Sequence, residues 1–204
     1  GWGQLLRQRN TWFMVLGAFG IFYTVWVYLT WLPSYLQTAR GFSLSQSGWL
    51  ASLPFLCGII GVIFGGWLSN RLVARGTSTV RARKIPIVGG AVLAAAAVLP
   101  VAYVDNTALA IAPLSLGYFA SQIPIGCLWT LASDVAPTNQ VASLGAIQNF
   151  GGFVGAAIAP AATGAILTAT AGNYTLVFLI GGVLLLVGAL SYGFFVKDRS
   201  GRTA

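Results

Sequence analysis

The sequence predicts an all-α, polytopic membrane protein with six transmembrane helices. Its 204 residues are 57% hydrophobic and only 7% charged, with a mean hydropathy of +0.82, outside the range of soluble domains. A hydrocarbon core about 30 Å thick needs roughly 20 mainly apolar residues per helix, and runs of that kind fall near 12–38, 46–70, 85–104, 107–132, 141–169 and 174–196. The runs are continuous and much longer than the alternating strands of about ten residues that build a membrane β-barrel, so they read as helices.

In the first span, Thr24, Tyr28, Trp31 and Tyr35 recur at helical spacing and form one amphipathic aromatic face. Trp31 and Tyr35 also fit an aromatic belt at the membrane surface, whereas Tyr28 lies deeper. The second span carries Gly61-x-x-x-Gly65, the small-residue pattern that lets helices approach closely in lipid. The third span is plain, entered from the basic segment NRLVARGTSTVRARK at 70–84. In the fourth, Gln122, Gly126, Trp129 and Ser133 repeat the spacing of the first. Gln122 has two readings, a cavity contact or a bridge to backbone near Pro124, where a donor is missing. The fifth span places two amides, Gln148 and Asn149, among apolar residues and glycines, beside a second small-residue pair, Gly151-x-x-x-Gly155. Asn149 has Gly145 and Gly152 next to it on the helix surface, and Gln148 points about 100° away, toward packing.

Pro33, Pro54, Pro124 and Pro160 inside the spans, with 26 glycines, provide places to bend. Cys57 and Cys127 are expected to be small apolar packing residues. The chain opens GWGQLLRQRN, shows no cleavable signal peptide, and is expected to be part of a longer protein.

The net charge of +8 does not indicate nucleic-acid binding, because it is an orientation signal. Ten of the eleven basic residues precede the first span, fill the 70–84 loop or lie in the tail, leaving Arg40 alone on the opposite side. The positive-inside rule then puts both termini in the cytoplasm, as an even number of spans requires. The three acids, Asp105, Asp134 and Asp198, all lie outside the apolar cores, so a proton relay or buried ion pair is not expected within these helices. With no histidine, no mid-membrane acid and no nucleophile beside a base, enzymatic catalysis is not expected. No metal or other cofactor is implied.

Several stretches resemble a known family. GGWLSNRLVARG at 65–76 resembles the loop motif of the major facilitator superfamily, with Asn70 in place of the motif's acid. YLTWLPSYL at 28–36, SDVAPT at 133–138 and GAIQNFGGFVGAAIAP at 145–160 resemble its anion:cation symporter branch, which includes hexuronate, galactonate and glucarate transporters. The resemblance runs nearly end to end, but family members have twelve helices in two halves. It implies that this chain is the C-terminal half: 1–11 the end of the central cytoplasmic loop, 12–196 the six-helix domain, 197–204 a cytoplasmic tail. It further implies a multi-pass inner-membrane protein partnered by the N-terminal half, with a small organic anion as substrate and a proton as coupling ion. Substrate contact is carried onto Asn149, Trp129 and Tyr28; Gln122 and Thr24 join them by helical position. Asn70, Arg71, Arg75 and Asp134 are expected to form a cytoplasmic gate, with Arg71 or Arg75 pairing to Asp134. A membrane scaffold with no substrate path is the alternative of a different class.

Overall fold

A computed structural model describes residues 2–104 and 106–197. Asp105, Asp198, Arg199 and Arg202, with all of the expected tail beyond Lys197, lie outside the described residues. A short helix α1 (Trp2–Leu6) occupies the segment expected as loop, followed by α2 (Arg9–Thr38), α3 (Leu44–Ala74), α4 (Thr79–Val98), α5 (Thr107–Val135), α6 (Val141–Ala169) and α7 (Thr175–Leu190). A 3₁₀ turn, Leu99–Tyr103, extends α4, and a π turn, Ser191–Phe195, extends α7. From α2 onward, the six helices with these extensions are long and apolar enough to cross a membrane.

The helices outrun the apolar segments that predicted them. The 30 residues of α2 reach about 45 Å, so both ends project beyond a hydrocarbon core about 30 Å thick. Most of the expected loop at 70–84 is therefore helix: α3 continues to Ala74 and α4 begins at Thr79. What stops α3 is Gly76, whose φ of +87° admits glycine readily and lets Thr77 N–H bond back to the carbonyl of Leu72 at 3.0 Å. At the other end a capping box starts the helix, Ser43 Oγ accepting from Gln46 N–H and Gln46 Oε1 accepting from Ser43 N–H.

Packing follows a three-plus-three plan. The closest pairs are α3 with α5 and α2 with α6; α4 lies against α5, α7 against α2, and α4 and α7 touch each other. Exchanging the triplet α2–α3–α4 for α5–α6–α7 maps this pattern onto itself, and because three helices cross an odd number of times, the two triplets enter the membrane from opposite sides.

The two principal seams are built alike. A methyl group on Gly61 or Gly65 of α3 would overlap the carbonyl oxygens of Phe119 and Ile123 on α5. On α6, one on Gly155 would overlap the carbonyl oxygen of Phe19, and one on Gly151 would stand 3.0 Å from that of Val15, both on α2. Each glycine pair thus admits the backbone of a neighbouring helix, as the spacing predicted. The seven residues that α3 buries, Ser47, Ala51, Pro54, Gly58, Gly61, Gly65 and Ser69, are all small and recur every three or four positions. Its large side chains, Trp49, Ile59, Ile63 and Trp67 among them, point outward from the bundle.

Candidate functional site

The adjacent amides of α6 have different surroundings. Gln148 is 2% exposed. Its Nε2 donates to the Leu128 carbonyl on α5 at 3.2 Å, and its Oε1 lies 3.0 Å from Tyr192 Oη in the π turn after α7. That hydroxyl also stands 3.0 Å from the Met14 carbonyl on α2, and its single proton serves one acceptor at a time. Gln148 is thereby tied to α5 and α7, and through Tyr192 to α2. Asn149 is half-buried, and its Oδ1 is enclosed with no hydrogen-bond partner among the described residues. An unsatisfied buried acceptor costs about 1–3 kcal/mol, so this position carries a polar group that packing does not require.

The aromatic face of α2 turns into the bundle. Thr24, Tyr28, Trp31 and Tyr35 line a narrow cavity of about 20 Å³, which Tyr174 and Phe178 also line. That is room for one water molecule and not for a sugar acid. Tyr28 is 4% exposed, its ring 5.1 Å from that of Tyr118 on α5. Its hydroxyl and Trp31 Nε1 are both buried without partners among the described residues. Thr24 Oγ1 donates across to the Gly181 carbonyl of α7 at 2.9 Å, which makes it a tie between helices. Tyr35 Oη accepts from Arg40 Nε at 2.7 Å, and Arg40 Nη2 donates to the Val104 carbonyl at 2.6 Å. The lone cation of that side thus fastens the end of α2 to the turn after α4.

The α5 stripe divides. Gln122 is buried in the α3–α5 seam, where a methyl group on Gly58 would lie 3.1 Å from its Cγ. Trp129 is 48% exposed on the bundle surface, and Ser133 Oγ bonds back to the Thr130 carbonyl of its own helix. None of Asn149, Trp129 and Gln122 lines that cavity. The predicted uncharged wall is therefore spread over a seam, an interior pocket and an outer surface.

At the end of the bundle bearing the basic loop, Arg83 is the centre of a polar cluster that the sequence did not single out. Its Nη1 donates to Ser69 Oγ and Asn70 Oδ1, each at 2.8 Å, and its Nε pairs with Asp134 Oδ2 at 3.1 Å. This corrects the expected partner of Asp134, which is neither Arg71 nor Arg75. Arg83 sits on the first turns of α4, between the ends of α3 and α5, whereas Arg71 lies on the outer face of α3 over the Trp67 ring at 5.4 Å, and Arg75 is an exposed C-terminal cap. Asn70 accepts the guanidinium bond through a neutral amide oxygen. Beneath the cluster, Cys127 Sγ donates to the Gly65 carbonyl at 3.3 Å, as a packing cysteine can.

Among the described residues, His, Cys, Asp and Glu form no group of three or more that could hold a metal. Six membrane-length helices in two exchangeable triplets, held by glycine seams and almost free of charge between their ends, define a multi-pass helical membrane protein of the three-plus-three class. The chain belongs to the Major Facilitator Superfamily, whose family profile matches residues 1–160. Over 197 residues it is 37% identical to the probable L-galactonate transporter of Escherichia coli, covering 97% of this chain and 43% of that protein. It is 36% identical to the probable galactarate/D-glucarate transporter GarP of Escherichia coli, covering 96% and 43%, and 34% identical to the probable sulfoacetate transporter SauU of Cupriavidus necator, covering 93% and 43%. The chain thus spans less than half the length of these relatives, which are named as transporters and not as enzymes.

Proposed function

We propose that this chain is the C-terminal six-helix half of an organic-anion transporter of the sugar-acid type, coupled to protons and working by alternating access. The observation that carries the reading is Asn149: a buried amide oxygen with no partner among the described residues, on a helix whose neighbouring amide has polar partners at both its nitrogen and its oxygen. A polyhydroxy acid presents hydroxyl donors that such an oxygen accepts. The exposed indole of Trp129 suits the same cavity, formed when an N-terminal half covers this face. The spans of this half hold no acid at mid-membrane depth, so the titrating group and the cation that meets the substrate carboxylate are assigned to the other half. Tyr28 and Gln122 act behind this surface, and Thr24 ties α2 to α7. The orientation has both termini in the cytoplasm of a bacterial inner membrane. The Arg83–Asp134 cluster, with Asn70 accepting from Arg83 and Arg71 and Arg75 beside it, forms a latch on the cytoplasmic side.

Names of the relatives support an anionic substrate, and they favour two chemistries: sugar acids and, through the sulfoacetate relative, a small sulfonate. Uptake into proteoliposomes, using this half reconstituted with its N-terminal half, separates them. Labelled galactonate, glucarate and sulfoacetate are compared with and without an inward proton gradient, for wild type and Asn149→Ala. Gradient-driven uptake of a sugar acid, lost in the folded variant, is expected. Uptake of every anion at the wild-type rate in Asn149→Ala would remove Asn149 from the site, and no uptake of any would favour a scaffold.

A further inference from the structure

We infer that the groove between the first turns of α4 and the end of α7 binds an anionic phospholipid, with Arg81 and Lys84 on its phosphate and an acyl chain lying over Gly89. The groove measures about 660 Å³ and is lined by the capping Ser78, by Arg81, Lys84, Ile85 and Gly89 of α4 and by Gly193 of the π turn. Positions 78, 81, 85 and 89 share one helical face, so the sequence itself puts polar and cationic groups above apolar ones along a single stripe.

Charge selects the headgroup. Lys84 Nζ donates to the Val196 carbonyl at 2.8 Å, leaving other ammonium protons for a ligand. Among the described residues the one ion pair is Arg83–Asp134, so no described carboxylate pairs with Arg81 or Lys84. Ser78 caps α4 without a side-chain bond of its own, and the positive end of that 20-residue helix opens at the same mouth. Shape selects the lipid over a free anion. Below the cations, Ile85 is 43% exposed and Gly89 has no atom within 4 Å of where a methyl group would stand. An acyl chain fills that apolar trough, which inorganic phosphate would leave empty. Basic pockets between helices at the membrane surface hold anionic headgroups in this way.

The test uses the purified protein, delipidated in detergent and titrated with phosphatidylglycerol or phosphatidylcholine, with retained lipid counted by native mass spectrometry. Preferential retention of phosphatidylglycerol is expected, weakened roughly thirtyfold in Arg81→Ala/Lys84→Ala, the worth of two basic side chains at an anionic surface. Gly89→Phe keeps both cations but fills the trough, and loses the lipid as well. It projects into open space, so it carries the test even if the double variant fails to fold. Equal retention of the two lipids, or unchanged phosphatidylglycerol binding in folded variants, overturns the proposal. So does displacement of phosphatidylglycerol by inorganic phosphate, which would leave a site for free phosphate alone.

Discussion

The α3–α5 and α2–α6 seams share one construction but not one lining. Aligning Gly61 and Gly65 with Gly151 and Gly155 sets Gly58 of α3 against Gln148 of α6, and Ile59 against Asn149. In the first seam a large polar side chain comes from the partner helix, Gln122 of α5 resting on Gly58. In the second it comes from α6 itself, as Gln148. Each seam therefore has one buried glutamine, and Asn149 is left with no polar counterpart in α3. Ile59 shows that the architecture tolerates an apolar residue at that position. The comparison separates what packing needs from what it does not, and Asn149 falls on the second side.

The largest expected effect would show that the seams are equivalent. Gly65→Leu and Gly155→Leu each drive a side chain into a carbonyl of a neighbouring helix, and overpacking of this kind costs about 3 kcal/mol or more. Both variants should lose the cooperative thermal transition expected of the wild type in detergent; a seam that tolerates leucine is not held by backbone contact. Next comes the contrast between the amides. Gln148→Leu abandons the Leu128 carbonyl and removes an acceptor of Tyr192, and should lower stability by about 1–3 kcal/mol. Asn149→Leu removes a buried acceptor that had no partner, and its Tm should hold or rise. Equal Tm losses in the two would make Asn149 a packing residue and undo the distinction.

Sequence alone conveyed the helices and their seams because both are local. Twenty apolar residues define a span whatever surrounds them, and a pair of glycines four apart marks a close approach. It also separated Gln148 from Asn149, since successive helical residues point about 100° apart. What it missed depends on which faces meet. Thr24, Tyr28, Trp31 and Tyr35 do share a face, but spacing cannot say whether that face looks into the bundle or toward a second domain; here it closes on Tyr174 and Phe178. Arg83 was hidden in a run of basic residues where every member looked alike. The signal was its position: α4 starts six residues before its apolar run, which places Arg83 one turn inside a helix facing Ser69, Asn70 and Asp134.

That cluster gives a smaller expected effect, because its ion pair is partly open, with side-chain exposures of 14% and 24%. Asp134→Asn should cost no more than about 1 kcal/mol, while Arg83→Ala, which frees Ser69, Asn70 and Asp134 together, should cost more than Asp134→Asn. Equal effects would mean that the neutral partners contribute nothing, and that Asn70 does not stand in for an acid. The smallest effect belongs to the interior cavity. Tyr28→Phe removes a hydroxyl buried without a partner and keeps the ring packed on Tyr118 at 5.1 Å. If the 20 Å³ space is dry, that loss is neutral or slightly stabilising, since an unpaired buried hydroxyl has no bond to forfeit. A stability loss of about 1 kcal/mol or more would instead mean that a water bridges Tyr28 Oη and Trp31 Nε1. Trp31→Phe should then lower Tm alike and add little to Tyr28→Phe, because either change unties the same water.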